Sequence, residues 1–338
     1  MLRIAIALLS TILISPGAWA VCTLARGQPT PLAISSQVIT LSADQEIDTS
    51  KEFAQYDSTV LGVGVGFDKC DVNTEYGKRA VNLFGQDPST RIYQTNIPGI
   101  GVKLLFSNGE AFGNFPSTSY LKFSPVKDKN TGEWVIPTTG MLDVGAGSFY
   151  RIQFFKTGRI RLNSPTGDTV LPAGLIGYNY IMSANPANFT VKLNIGGMKI
   201  VSTPACTTDN AKTIDFNTVT PTLLSAGVTR NMDFAIVCKS DYGTYSAKAS
   251  IITDTPSSDG SYIRVEDAAG NKDRLRIRIT NGNNQLMKVD GTTYEQKSNI
   301  TSQGPAEFLW KATLIPGNTA TPAGGIFTAK AEIVFDIQ

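Results

Sequence analysis

The chain has 338 residues, no histidine, 17% charged residues and a formal net charge of +2. The charged fraction is low against the roughly 25% of an average soluble domain, and the near-neutral balance does not indicate a partner such as nucleic acid or an acidic membrane. Without histidine, Ser-His-Asp and Cys-His catalysis and histidine-ligated metal sites are excluded, so we expect a non-enzymatic protein that uses no metal and no cofactor.

The chain begins with the pattern of a secretory signal. Arg3 precedes an apolar run over residues 4–14, and Ala18-Trp19-Ala20 forms a cleavage site. The small-x-small site after a short apolar run is typical of a signal peptide, and the run is shorter than the roughly 20 residues of a membrane span. We expect residues 1–20 to be removed and the rest to be exported.

Export makes the four cysteines candidates for disulfide bonds. Their positions allow three connectivities. The wide gap between the second and third favours Cys22–Cys70 and Cys206–Cys238, one bridge in each half. A zinc site is disfavoured, since the chain has neither histidine nor a Cys-x-x-Cys pair.

Strand patterns follow along most of the chain, and no helix longer than two turns is predicted. Apolar or alternating runs are separated by turn signals such as Asn108-Gly109, Asn281-Gly282 and Asp290-Gly291. The predicted strands are Val60–Phe67, Gly101–Phe106, Phe149–Phe155, Thr190–Leu193, Met232–Cys238, Tyr245–Ile252, Asp273–Ile279, Phe308–Leu314 and Phe327–Ile337.

Two short motifs resemble enzyme signatures without their usual surroundings. The glycines of residues 62–66 lie in a Val-rich run with no helix or Lys-Ser/Thr behind them, so a strand or bulge is predicted rather than a phosphate loop. Ser124 and Lys127 match Ser-x-x-Lys, but Pro125 disfavours a helix there and no Lys-Thr-Gly motif occurs.

A predicted turn over residues 128–134 offers a candidate ligand site. Asp128 and Asn130 could accept hydrogen bonds from a sugar, and the Trp134 ring could stack against it. The alternative is a hairpin whose Trp134 covers the core. Tyr93, in its Ile-Pro-Gly context, is interpreted as structural.

A short joint of small residues and proline, Ser202-Thr203-Pro204-Ala205, precedes the second cysteine pair. It divides the mature chain into residues 21–202 and 203–338. With strands nearly everywhere, the predicted fold class is all-β, with two β-sandwich (Ig-like) domains. In the second, Arg274, Arg276 and Arg278 share one strand face, which we interpret as a solvated surface.

The chain closes on a segment with one apolar face. Apolar residues occupy odd positions from 327 to 337 and polar residues mostly even ones, the period-2 pattern of a half-buried strand. A terminal strand must pair its edge with something, and another protein is one candidate. The predicted pairing residues are Gly325, Phe327, Ala329, Ala331, Ile333, Phe335, Ile337 and Gln338.

These features resemble two-domain tip adhesins of chaperone–usher fimbriae. Cys206, its partner in Phe234-Ala-Ile-Val-Cys238, the closing alternation and Gly325 resemble a pilin domain. Tyr93-Gln-Thr-Asn-Ile-Pro-Gly-Ile-Gly101 resembles a segment in adhesin domains of type 3 fimbrial tip proteins, and residues 200–206 resemble their inter-domain joint. Ile337 departs from the family, which often has a tyrosine there.

The resemblance implies a lectin-like receptor-binding domain over residues 21–202 and a pilin fold over 203–338 that lacks one strand. It implies that a periplasmic chaperone, and later the next pilus subunit, supplies that strand at an outer-membrane usher. The Gln338 carboxylate would be anchored by basic chaperone residues. The implied receptor is a host glycan or an extracellular-matrix protein.

Position in the fibre is also predicted. Cleavage before Val21 leaves one residue ahead of Cys22, so we expect no donor segment, and a folded domain stands before Cys206. Such a subunit accepts a strand and gives none, which predicts export through the periplasm to the tip of a cell-surface fimbrium. The alternatives are a secreted glycan hydrolase and a non-adhesive capping subunit.

Overall fold

A computed structural model describes residues 22–317 and 320–338. The predicted signal peptide, residues 1–20, lies outside this part. Within it, no helix combines the length and the apolar character that crossing a bilayer requires. The fold is all-β, as predicted, with one hydrophobic core between Cys22 and Ile200 and another between Phe216 and Leu314.

We call residues 22–202 the N-terminal region and residues 203–338 the C-terminal region. The boundary between them stays a prediction, and one strand extends across it by a single residue. The N-terminal region contains one 3₁₀ turn, Pro186–Asn188. Its strands are β1 Thr23–Arg26, β2 Thr30–Ile34, β3 Gln37–Ser42, β4 Ala54–Asp57, β5 Val65–Asp71, β6 Glu75–Ala80, β7 Tyr93–Gln94, β8 Ile100–Ser107, β9 Phe112–Asn114, β10 Ser117–Tyr120, β11 Val126–Lys127, β12 Trp134–Val135, β13 Thr139–Val144, β14 Phe149–Lys156, β15 Asp168–Leu171, β16 Gly174–Ile181, β17 Phe189–Ile195 and β18 Met198–Thr203.

Strands that follow one another in the chain often belong to different sheets in this region. One sheet has the order β10-β6-β16-β17-β2, a second β4-β14-β8-β7 with β9 beside β8, a third β15-β18-β3 and a fourth β1-β5-β13, and β11 pairs only with β12. β2 runs parallel to β17, and β3 runs parallel to β18. The chain thus passes from one sheet into another between β2 and β3 and again between β17 and β18. These passages close the N-terminal core at its corners.

The N-terminal core follows from alternation along its strands. On β14, Ile152 and Phe154 are fully buried, and Arg151, which precedes Ile152 on the opposite face, reaches the Asp57 carboxylate at 2.6 Å. Tyr150 is also buried, and its hydroxyl donates to the Val191 carbonyl oxygen at 2.9 Å. Burial raises the pKa of the Tyr150 hydroxyl well above its usual value, so it stays a neutral donor that satisfies a buried carbonyl.

The predicted strand Val60–Phe67 begins later than expected. β5 starts at Val65, and residues 60–64 form an irregular approach to it. Val63 is 66% exposed, and a Cβ placed on Gly64 would lie 2.9 Å from the Val144 carbonyl oxygen. Close backbone approach, rather than ligand binding, accounts for this glycine.

The C-terminal region has one helix, α1 Pro221–Ala226. Thr220 caps it by accepting from the Leu223 N–H, and Gly227 at φ +82° ends it. The strands are β19 Ala205–Thr208, β20 Val228–Lys239, β21 Thr244–Ile252, β22 Ile263–Val265, β23 Leu275–Thr280, β24 Leu286–Met287, β25 Glu295–Thr301, β26 Pro305–Pro316 and β27 Glu332–Ile337.

Two antiparallel sheets enclose the C-terminal core. The larger has the order β19-β20-β26-β23-β22, with β24 beside β23, and the smaller has the order β25-β21-β27. Phe308 and Trp310 of β26 are fully buried between them. The Trp310 Nε1–H donates to the Glu295 carboxylate at 2.6 Å, so the one polar group of this ring is satisfied.

Both predicted disulfide bonds are present. Cys22–Cys70 ties the start of the N-terminal region to β5, and Cys206–Cys238 joins directly opposed residues of β19 and β20. Each bridge lies within one region.

The two regions contact each other at a polar joint. The Ser202 hydroxyl donates to the Asp241 carboxylate at 2.7 Å, and the Ser202 N–H donates to the Tyr242 hydroxyl oxygen at 2.9 Å. The Leu162 N–H donates to the Asp241 carbonyl oxygen at 2.8 Å. Tyr242 also packs against the N-terminal core. The loop between β20 and β21 therefore anchors the C-terminal region to the N-terminal one.

Replacing Tyr242 by Phe tests this joint. The change leaves the Ser202 N–H without its acceptor, and Ser202 is only 7% exposed. We expect the free energy of unfolding in urea to fall by about 1–2 kcal/mol. Tyr120, which is 53% exposed, supplies the control, since Tyr120→Phe is expected to change the free energy by less than about 0.5 kcal/mol. Equal denaturation midpoints for the two variants would contradict the role of Tyr242.

Candidate functional site

The main candidate site is the edge formed by β27. This strand pairs with β21 on one side, and among the described residues no strand lies on its other side. Ile333, Phe335 and Ile337 point toward the core but remain partly exposed. β21 is the inner neighbour of β27, and the residues of β21 directly opposite these three are almost completely buried: Ile251, Ala249 and Ala247. The core is therefore open along β27.

The opposite wall belongs to β20. β19 pairs only with residues 236–239 of β20, so residues 228–235 of β20 lack a strand on that side within the described part of the chain. Met232 and Phe234, in that stretch, are partly buried. Ile214 and Phe216, from the irregular segment before α1, also pack against this core. We call the space between β27 and residues 228–235 of β20 the edge groove.

Aromatic rings line the edge groove. The Phe234 and Phe308 rings stack with centroids 5.1 Å apart, and the Phe335 ring meets the Phe234 ring edge-on at 5.9 Å. Only Phe308 of the three is fully buried. Phe335 therefore supplies aromatic bulk at the groove, two residues before Ile337 on the same face of β27.

The last residue is held by the backbone. The Gln338 N–H donates to the Ser246 carbonyl oxygen at 2.9 Å, and the Ser246 N–H donates to the Gln338 carbonyl oxygen at 2.8 Å. Lys248 and Asp336 lie 3.7 Å apart at the surface, a pair worth less than about 1 kcal/mol. Main-chain pairing, rather than charge, positions this end of β27.

The first half of the predicted closing strand is not a strand. β27 begins at Glu332, and Ala329 and Ala331 are exposed. Gly325 adopts φ +135°, and Thr328 forms an isolated bridge with Glu266. Alternating alanines bury too little apolar area to hold this segment against the sheet. Phe327 alone reaches the core, with its ring 6.4 Å from that of Phe216.

The second candidate is the hairpin β11–β12. One Asp128 oxygen accepts from the Asn130 N–H at 2.7 Å and from the Thr131 N–H at 3.2 Å, which closes the turn together with Gly132 at φ +72°. Trp134 is 71% exposed. The alternative that Trp134 covers the core is therefore wrong.

Other apolar side chains are exposed on and near the hairpin. Val126 is 49% exposed, Ile136 62% and Tyr120, which precedes the hairpin, 53%. Sequence reasoning did not select them, because scattered apolar residues in a polar stretch carry no periodic signal. Contiguous exposed apolar patches are typical of binding surfaces, so this segment is a candidate for one.

Tyr93 is structural, as interpreted. It is 5% exposed and lies opposite Val102 on β8. Burial raises the pKa of its hydroxyl to about 12. The following turn is held by the Thr95 hydroxyl, which donates to the Ile100 carbonyl oxygen at 2.9 Å, and by Gly99 at φ +86°. Among the described residues, no cluster of three or more His, Cys, Asp or Glu side chains could hold a metal ion.

The C-terminal region matches a known family. Residues 190–338 match the sequence model of the family described as Fimbrial protein. This span contains both walls of the edge groove. The match confirms the predicted resemblance to fimbrial proteins for this part of the chain. A search of curated proteins finds no match.

Several solved structures are similar. The receptor-binding domain of the plasmid-borne adhesin MrkD1P of Klebsiella pneumoniae is 17% identical, with a TM-score of 0.37, over 54% of this chain and 96% of that one. The CupB6 tip adhesin of Pseudomonas aeruginosa is 11% identical, with a TM-score of 0.34, over 93% of this chain and 92% of that one. The CsuC–CsuE chaperone–tip subunit complex of Acinetobacter baumannii gives 9% identity and a TM-score of 0.34, over 94% of this chain and 100% of the matched one.

Proposed function

We propose that the chain is the tip adhesin of a chaperone–usher fimbrium and acts by binding rather than by catalysis. The C-terminal region joins the fibre by accepting a β-strand in the edge groove, and the N-terminal region carries the receptor-binding surface. The observation that carries the proposal is the partly exposed apolar face of β27 beside an unpaired edge, inside the fimbrial domain.

The chemistry of the groove suits strand addition. The free edge of β27 offers backbone N–H and C=O groups, and Ile333, Phe335 and Phe234 offer an apolar floor. An incoming strand gains affinity from main-chain hydrogen bonds and specificity from alternate side chains that enter the groove. In the proposal, a periplasmic chaperone supplies the strand first, and the next subunit supplies it at the outer-membrane usher.

The arrangement of the two regions supports a place at the tip. In a fibre of this kind, the segment ahead of the fimbrial domain extends into a neighbouring subunit. Here residues 22–202 fold around their own core ahead of Cys206 and contact the fimbrial domain through Ser202 and Tyr242. A folded region in that place ends the fibre and faces outward.

The hairpin β11–β12 is the proposed receptor contact. Trp134 presents an exposed ring, and the backbone amides of Asn130 and Thr131 orient Asp128. An aromatic face beside carboxylate and amide acceptors can bind a sugar ring and its hydroxyls. The same apolar exposure can also bind a matrix protein.

Trp134→Ala tests this surface. A panel of glycans and matrix proteins is probed with the purified chain, and the strongest binder is titrated against the variant. We expect affinity to fall roughly 30-fold, since an exposed tryptophan at the centre of a contact contributes about 2 kcal/mol. Stability is expected to be unchanged, because the ring covers no core.

Phe84→Ala is the matched control, since Phe84 is 67% exposed and lies apart from the hairpin along the chain. It is expected to leave affinity within about twofold, as surface positions outside a contact do. Equal losses in both variants would refute the hairpin as the contact. No binding to any panel member would favour a non-adhesive cap, and turnover of a glycan would favour a hydrolase.

A further inference from the structure

Four cationic side chains form a row on the outer face of the larger C-terminal sheet. Arg276 and Arg278 alternate with buried residues of β23, so both point away from the core. The structure adds Arg264 on β22 and Lys311 on β26 to this face. Arg274, which the sequence placed in the same row, precedes β23 and lies 3.8 Å from Asp267. We call Arg264, Arg276, Arg278 and Lys311 the basic row.

The strand register brings the basic row together. Arg264 lies directly opposite Arg276, and Lys311 lies opposite Thr280, one diagonal step from Arg278. Standard strand and cross-strand spacings give the row a length of roughly 15 Å. Like charges that face each other across a sheet destabilise it. The pair Arg264 and Arg276 is thus unfavourable in the absence of an anion.

Carboxylates near the row lie outside ion-pair distance: Asp233 of β20 is exposed one diagonal step from Lys311 without forming an ion pair with it. Among the residues that the structure describes, none of the four cations has an Asp or Glu oxygen within ion-pair distance, and the nearby ion pairs join Lys272 to Glu266 and Arg274 to Asp267. Arg276 instead lies over the Tyr262 ring, 5.6 Å from its centroid. The row is a concentrated positive charge on a chain whose sequence pI is only about 8.2.

A polar cleft lies beside the row. It has a volume of about 460 Å³, and its walls include Arg278, Lys311, the Thr280 hydroxyl, the Asn284 amide and the Tyr262 ring. Hydroxyl and amide groups bind sugar hydroxyls, an aromatic ring packs on a sugar face, and guanidinium groups bind sulfate and carboxylate.

We propose that the basic row and this cleft form a binding site for an acidic polysaccharide that carries sulfate or carboxylate groups. The cations bind the anionic groups, and the cleft holds the adjoining sugar ring. The cleft favours a saccharide over a lipid surface, because its polar groups outnumber the single partly exposed leucine, Leu286. Nucleic acid is disfavoured because the chain as a whole is nearly neutral, with a formal net charge of +2. The site lies outside the proposed receptor surface and does not depend on it.

The test is titration calorimetry of the full chain with a heparin-derived hexasaccharide at several salt concentrations. We expect binding that weakens as salt rises. Arg276→Gln combined with Arg278→Gln is expected to reduce affinity by roughly tenfold or more, since two charge-assisted contacts are lost. The same variant is expected to melt no lower than the parent, because it removes a like-charge pair.

Arg159→Gln combined with Arg161→Gln is the matched control. Both arginines are exposed in the N-terminal region, and the change in net charge is the same. This variant is expected to keep its affinity within about twofold. Equal losses in the two double variants, or none in the first, would overturn the proposal. Tighter binding of a DNA duplex or of anionic vesicles through the same row would replace the polysaccharide with that ligand.

Discussion

A synthetic donor strand is expected to raise the melting temperature of the C-terminal region by about 10 °C when added at about 100 times its dissociation constant. The peptide would have about twelve residues with isoleucine or valine at alternate positions, so that one face enters the edge groove. Its binding would cover Ile333, Phe335 and Ile337, which are partly exposed in the free chain. Each apolar side chain fully removed from water contributes about 1.5–3 kcal/mol. Differential scanning calorimetry measures the shift.

Two variants of β27 make this test specific. Phe335→Asp places a charge among the rings of Phe234 and Phe308 and is expected to weaken the peptide more than about a hundredfold. Val334→Asp changes the neighbouring residue, which is 43% exposed on the opposite face of the same strand, and is expected to leave binding unchanged. A peptide that causes no shift at saturation would refute the open groove. Equal losses in both variants would show that binding does not use the inward face.

Removal of the Cys206–Cys238 bridge is expected to lower the free energy of unfolding of the C-terminal region substantially. The bridge closes 32 residues, for which the chain-entropy relation gives about 3.7 kcal/mol. β19 has few other ties, because three of its four residues are exposed. We expect guanidinium denaturation of Cys206→Ala with Cys238→Ala to show this loss. The edge groove is also expected to lose its shape, because β19 pairs with residues 236–239 of β20 at the end of the groove.

The other bridge gives an internal comparison. Cys22–Cys70 closes 48 residues. Its removal is expected to lower the free energy of unfolding by about 4 kcal/mol, and this loss is expected in the unfolding of the N-terminal region. Peptide uptake by the edge groove is expected to survive the loss of Cys22–Cys70. A Cys206→Ala, Cys238→Ala double variant that unfolds within about 1 kcal/mol of the parent would contradict the predicted role of the bridge.

Periodic signals made the fold class predictable. Phe149–Phe155 and Tyr245–Ile252 were predicted to within one residue of the observed strands, because a buried strand of a sandwich records its two faces as alternation. Strands such as Glu75–Ala80 were missed. All six of its residues are partly buried, so neither face carries a clear apolar signal.

Only part of the edge groove could be predicted from the sequence. The inward face of β27 is visible in the sequence, since Ile333, Phe335 and Ile337 alternate with exposed residues. The other wall of the groove could not be predicted from the sequence, because the pattern around Phe234 is the same as that of a fully buried strand. Its exposure follows from where β19 ends, and that is decided by pairing between distant segments.

The sequence by itself determined the all-β class and the apolar face of the closing strand, because both depend on residue type and local spacing, and it favoured the two disulfide pairs that the structure contains. Only the tertiary structure decided which edges stay unpaired, that Trp134 is exposed, and that Arg264 and Lys311 join the arginines of β23. Strand order and register set these features, and both result from contacts between residues far apart in the chain.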